Sequence, residues 1–214
     1  MVWRKKKDDE KSSSSDDDKG PGNGKNPEVD FKGEKRSNET HESKSDPESK
    51  LYRKGSGREA KLSFIGHIMM ENKNGLAVDT RFGQAGYHAE LEAEIEMAQG
   101  LPGENKKTIG ADKHYDQNYF SEALKNANIS SHVAQNLHAR KHTSSIDGRT
   151  TRHQSYEVSQ QKRKRIEEIF GWLKTIGLLR RPMLKGSEKL GWMFSFGAAV
   201  YNLVRIKNLC ATQY

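Results

Sequence analysis

Between residues 61 and 71 apolar and polar positions alternate: Leu62, Phe64, Ile68 and Met70 against Lys61, Ser63, His67 and Glu71. A period of two marks a strand with one buried face. Asn74-Gly75 follows, a dipeptide that favours a tight hairpin, and 76–80 supplies the return strand. The period then lengthens. Leu91, Ile95 and Ala98 share one face among glutamates, which predicts a surface helix over 88–99 ending at Gly100. Thr108-Ile109-Gly110-Ala111-Asp112 reads as a short buried strand with a carboxylate at its C-terminal end. A helix is expected over 118–127 with Tyr119, Phe120, Ala123 and Leu124 inward, then a strand at Ser131-His132-Val133-Ala134. Residues 136–159 read as a polar, basic connection. A helix begins near Arg163, with Ile166, Ile169, Phe170, Leu173, Ile176 and Gly177 at helical spacing.

A final helix is expected over 184–209. Its apolar segment 190–204 is interrupted by Ser195 and Asn202 and is too short to span a membrane. It reads as buried, with Trp192, Met193, Phe194 and Phe196 in the core. Strands alternating with helices in this order predict a mixed α/β fold. Ahead of them, residues 1–30 alternate charge clusters with Ser and Gly and are expected to be disordered. Residues 31–58 stay polar and show no periodicity.

Composition adds a location to the charge. The formal net charge is +8, but residues 131–189 hold 13 Lys and Arg against 5 Asp and Glu, while the segments before them are balanced. A basic field confined to one region suits a polyanion, most simply nucleic acid. The one cysteine, Cys210, excludes a disulfide framework and any multi-thiolate zinc site. With no apolar leader after Met1, a cytoplasmic protein is expected.

The candidate chemistry centres on the Arg163 helix. Arg163, Glu167 and Lys174 fall within about 40° of one another at ~100° per residue, so a carboxylate stands between two cations beside the buried stripe. The plain alternative is an Arg–Glu pair on a solvated face. Asp112 and Glu167 could together hold a divalent cation, since hard ions take carboxylate oxygens. Asp79, Asp116 and Asp147 are candidates for a third acid by residue type only. His138 and His142 are spaced for a metal if helical, but the cations between them favour a basic loop.

Several motifs together resemble a known family. They are Phe31-Lys32-Gly33-Glu34-Lys35-Arg36-Ser37-Asn38 with Leu51-Tyr52-Arg53-Lys54-Gly55, then Gly110-Ala111-Asp112-Lys113-His114-Tyr115-Asp116. Ile146-Asp147-Gly148-Arg149-Thr150-Thr151-Arg152-His153 leads into the Arg163 helix, and Gly191-Trp192-Met193-Phe194 and Tyr201-Asn202-Leu203-Val204-Arg205 close the set. Over residues 31–209 the chain resembles the DDE transposases of bacterial insertion sequences, in the IS-five group of the broad IS-four-like class.

The resemblance implies a ribonuclease-H-like fold. Asp112 matches the family's second catalytic aspartate and Glu167 its catalytic glutamate, both holding Mg²⁺ or Mn²⁺. Arg163 and Lys174 would contact DNA phosphates, with Arg149, Arg152, Lys162 and Arg165 as further DNA-binding residues. The implied partners are transposon terminal repeats and target DNA, with a homo-oligomer or the full-length transposase as protein partner. Gln160 departs from the tyrosine of the family's helix pattern. The family's first catalytic aspartate lies on a first strand upstream of Phe31, and no residue in 1–30 sits in a strand-like context. The chain is therefore expected to be the C-terminal portion of a transposase, a truncated copy lacking that strand, one metal ligand and an N-terminal DNA-binding domain. A non-catalytic DNA-binding remnant is the alternative expectation.

Overall fold

A computed structural model describes residues 37–53, 59–86, 89–136 and 144–211, with the backbone of 3–5, 30–31 and 34–35. Most of the stretch expected to be disordered, and the pair His138 and His142, lie outside the described residues. Within that stretch the expectation of no strand is corrected. Trp3–Lys5 (β1) pairs antiparallel with His41–Ser43 (β4), and Asp30–Phe31 (β2) pairs with Glu34–Lys35 (β3).

The longest ladder is the expected hairpin. Lys61–Met70 (β6) pairs antiparallel with Ala77–Gln84 (β7), and Lys50–Tyr52 (β5) adds to the start of β6 on its other edge. The turn is held by Glu71, whose carboxylate accepts the N–H groups of Lys73, Asn74 and Leu76 at 2.7–3.1 Å. Gly75 takes φ +75°, the left-handed conformation glycine adopts at no steric cost. Lys107–Ala111 (β8) and Ile129–Val133 (β9) form a separate parallel pair.

Helices cover both faces. Ala89–Gln99 (α1) and Asn118–Asn126 (α2) pack with Met69, Ile109, Ala111, Ile129 and Val133 in one core. On the other side Ile68 joins Ile169, Leu173, Phe194, Ala198 and Tyr201 in a second core. These come from Ile166–Thr175 (α5) and Ser187–Ala211 (α6). Adjacent residues Ile68 and Met69 thus feed opposite cores, so β6 is buried on both faces near its C-terminal end. That overturns the half-buried expectation, and it also buries His67 on the face assigned to solvent. Tyr119 is likewise exposed rather than inward, because α2 turns Phe120, Ala123 and Leu124 to the core.

Polar contacts fix α6 on β7. Asn202 brackets Ala77, accepting its N–H at 2.9 Å and donating to its carbonyl at 2.8 Å. Thr80 and Ser195 join through their hydroxyls at 2.9 Å. The polar stretch before β6 anchors the start of α6: Asp46 accepts the Gly186 N–H and Glu48 that of Ser187. Acids at a helix N-terminus satisfy donors that the helix leaves open and oppose its dipole favourably.

Among the strand edges left open in the described residues, one lies on β6 and one on β8. From Phe64 to Met70, β6 pairs only with β7, and β8 pairs only with β9. Both open edges border the core that contains Met69, Ile109 and Ala111.

Candidate functional site

The residues expected to form a basic connection are largely helical. Gly148–Thr151 (α3) and Gln154–Lys162 (α4) lie there, and α4 runs through a 3-10 turn, Arg163–Arg165, into α5. The turn keeps right-handed helical backbone angles at both ends, so the path continues from α4 to α5. Apolar periodicity could not find α4, because only Ser159 is buried on it and its docking is polar.

That docking is specific. α4 lies across β8 and β9 on the face opposite α2. His132 Nδ1 and Ser159 Oγ are 2.9 Å apart, and both side chains are buried. The Tyr156 hydroxyl donates to the Val133 carbonyl at 3.0 Å. Gln160 donates its amide to the His132 carbonyl and accepts from Arg163 Nε at 2.8 Å. The residue that departs from the expected tyrosine therefore ties Arg163 to the sheet. Burial, then the neighbouring His153, holds the His132 pKa below the ordinary imidazole value.

Gly110 makes the approach of α4 possible. A Cβ there would stand 3.3 Å from the Ser159 carbonyl oxygen and 3.4 Å from its Cβ. Gly110→Val is expected to destabilise the domain by about 1–3 kcal/mol through overpacking, because a backbone atom cannot swing aside. Urea unfolding measures this, and an unchanged midpoint would sink the close-packing account.

Asp112 directly follows β8. It is exposed and caps the 3-10 turn Lys113–Tyr115, accepting the His114 N–H at 2.7 Å. Glu167 lies exposed in the first turn of α5 and makes no hydrogen bond or ion pair among the described residues. Lys174, near the end of α5, is exposed, with its ammonium 6.0 Å from the Phe170 ring centre.

The remaining expected contacts divide. Arg149 forks onto Asp147 through Nε and an Nη at 2.9 and 2.7 Å, and Arg152 donates to the Gly148 carbonyl. Arg165 donates to the Asn72 and Lys73 carbonyls and so braces the β6–β7 turn. Lys162 is half-buried, while Lys164, Arg180, Arg181 and Lys185 are exposed.

The three acids named as possible third ligands are occupied in local structure. Asp79 pairs with Arg81 at 2.9 Å, and Asp147 caps α3. Asp116 is buried and accepts from the Asn136 N–H and from the Ser145 N–H and hydroxyl. Burial acts to raise its pKa, but these hydrogen bonds outweigh that and hold it below the usual carboxylate range. Among the described residues, no group of three or more His, Cys, Asp or Glu side chains could hold a metal.

The sequence reading missed one acid near Asp112. Glu94, half-buried on α1, has its pKa raised to about 7 by burial and then by Glu90. Tyr115 beside it is pushed up by burial and by Glu94, Glu90 and Asp112. The signal was present as a run of glutamates, but the pattern gave no reason to place one of them inward.

A mixed α/β domain with a cationic surface along 162–185 is the kind of protein that takes a polyanion. Residues 30–203 match the family described as Transposase DDE domain, and the chain belongs to that family. No curated protein matches it, and no solved structure does. Among the described residues, no helix is long and apolar enough to cross a membrane.

Proposed function

We propose that the chain is the strand-cleaving and strand-transferring domain of an insertion-sequence transposase, of the IS-five group, acting on DNA at element ends. The observation that carries this is the docking of α4 on β8 and β9. The strand that delivers Asp112 also seats the helix that leads into the first turn of α5, where Glu167 stands. Asp112 and Glu167 are exposed carboxylates whose oxygens suit a hard divalent cation, so they would hold Mg²⁺ or Mn²⁺. Such an ion lowers the pKa of an attacking water and stabilises charge on a leaving phosphodiester oxygen. Gln160 orients Arg163, and Arg163, Lys174 and the exposed cations after them would contact DNA phosphates.

Two carboxylates position an ion less well than three. We place the first strand of a ribonuclease-H-like sheet, bearing the third acid, at the open edges of β6 and β8. Without that acid the described domain is expected to bind terminal-repeat DNA while transferring strands poorly. Glu167→Gln is the test, read on labelled terminal-repeat DNA with Mg²⁺. Cleavage should fall by about 100-fold or more, while binding by gel shift is retained. Cleavage that survives the substitution would remove Glu167 from the chemistry.

A non-catalytic DNA-binding role is the second reading. It is favoured by the lack of a three-acid cluster among the described residues. It predicts DNA binding with no cleavage by either the parent chain or Glu167→Gln.

A further inference from the structure

Helix α6 carries two apolar stripes, and only one is covered. Leu190, Phe194, Ala198 and Tyr201 are buried. Roughly 165° round the helix, at ~100° per residue, stand Trp192, Phe196, Ala199, Leu203, Ile206 and Cys210, all exposed. Trp192 and Leu203 are each 67% exposed and Phe196 56%, with the Trp192 and Phe196 rings stacked at 5.1 Å. The expectation that Trp192 and Phe196 belong to the core is therefore corrected.

The spacing of this outer stripe is four, three, four, three, four. That is the heptad pattern by which one helix packs along another. A helix apolar on both sides is normally buried, and a contiguous exposed stripe of this kind marks an interaction surface.

We propose that α6 pairs with α6 of a second copy of this chain, antiparallel, through this seam. The seam residues carry no charge, and no Asp, Glu, Lys or Arg stands between Lys189 and Arg205; Lys207 lies at the seam's border. The same neutrality makes it a poor surface for DNA. An antiparallel register sets Trp192 opposite Cys210 of the second copy, Phe196 opposite Ile206, and Leu203 opposite Ala199. Each layer then joins a larger side chain to a smaller one, whereas a parallel pair would set Trp192 on Trp192 and Lys207 beside Lys207. Covering the six seam residues removes at most about 600 Å² per copy. That clears the ~500 Å² per partner at which specific interfaces begin and falls below the ~800 Å² of a standard one.

The seam residues lie on the face of α6 turned away from β7, so they can be changed without disturbing its docking. By sedimentation of the full chain, the parent protein is expected to be a dimer. Leu203→Glu should weaken the dimer by about 100-fold or more, with an unchanged circular dichroism spectrum and, at a dilution where both chains are monomeric, an unfolding midpoint equal to the parent's. Trp192→Cys should form an intermolecular disulfide with Cys210 under mild oxidation, giving a covalent dimer on a non-reducing gel. A monomeric parent chain would overturn the proposal, as would a dimer indifferent to Leu203→Glu. A Cys210–Cys210 crosslink in the parent chain would overturn the antiparallel arrangement. A monomer destabilised by Leu203→Glu would show that the chain covers its own stripe, and would equally overturn it.

Discussion

Replacing Phe194 with alanine is expected to cost about 3–5 kcal/mol, the loss typical of a fully buried aromatic. The same change two residues away, at Phe196, should cost the fold less than about 1 kcal/mol. Phe194 is 4% exposed and lies directly over Gly66, where even a Cβ would come within 2.6 Å of its ring. Its ring centre lies 5.6 Å from that of Phe82 and 6.5 Å from that of Phe170. The side chain thereby joins β6, β7, α5 and α6, and truncation leaves a cavity that the glycine below cannot fill. Phe196 points away from that core and rests on Trp192. Urea unfolding at a protein concentration below dimer formation separates the two. Equal losses would mean that α6 docks on a different face.

The second large effect is one of pH. Glu94 has a folded-state pKa of about 7, against an ordinary 4.5. The folded domain therefore holds a proton that the unfolded chain releases. The resulting stability is fully present below pH 4.5 and is lost as pH rises to about 7 and beyond. With ~1.4 kcal/mol per tenfold change in proton affinity, the full swing is at most about 3 kcal/mol. Burial and then the negative charge of Glu90, on the same helix, set this environment, and Glu90 itself pairs with His114 at 3.7 Å. Glu94→Gln keeps the shape and removes the titration. The variant should be more stable than the parent at pH 8 and nearly equal to it at pH 5. Buried His67 and His132, whose pKa values burial lowers, act in the opposite sense. They lose stability as pH falls below about 6.5, in parent and variant alike, so the comparison isolates Glu94. Parallel pH curves for the two proteins would show that Glu94 is ordinary in the fold.

The candidate site was legible in part. Thr108-Ile109-Gly110-Ala111-Asp112 announced a buried strand ending in an acid, and the structure has that strand with Asp112 immediately after it. α4 was not legible, because it docks through Tyr156, Ser159 and Gln160 rather than an apolar stripe. Hydrogen bonds to strand carbonyls leave no periodicity to read. Arg165 illustrates the reverse: it reads as one more cation in a basic run, yet its guanidinium is committed to two turn carbonyls.

The sequence by itself determined the β6–β7 hairpin, the alternation of strands and helices, the basic region and the motif set. Each of these rests on local spacing or composition, which a chain carries whatever it packs against. Only the tertiary structure decided that β6 is buried on both faces near its end, that Asp79 is held in an ion pair, Asp116 in buried hydrogen bonds and Asp147 in a helix cap, and that Glu94 lies partly inside. It also decided which of two apolar stripes on α6 meets the sheet. Both stripes obey helical periodicity, so the pattern cannot rank them. The choice falls to Gly66, Asn202 and Ser195, whose partners lie more than a hundred residues away along the chain.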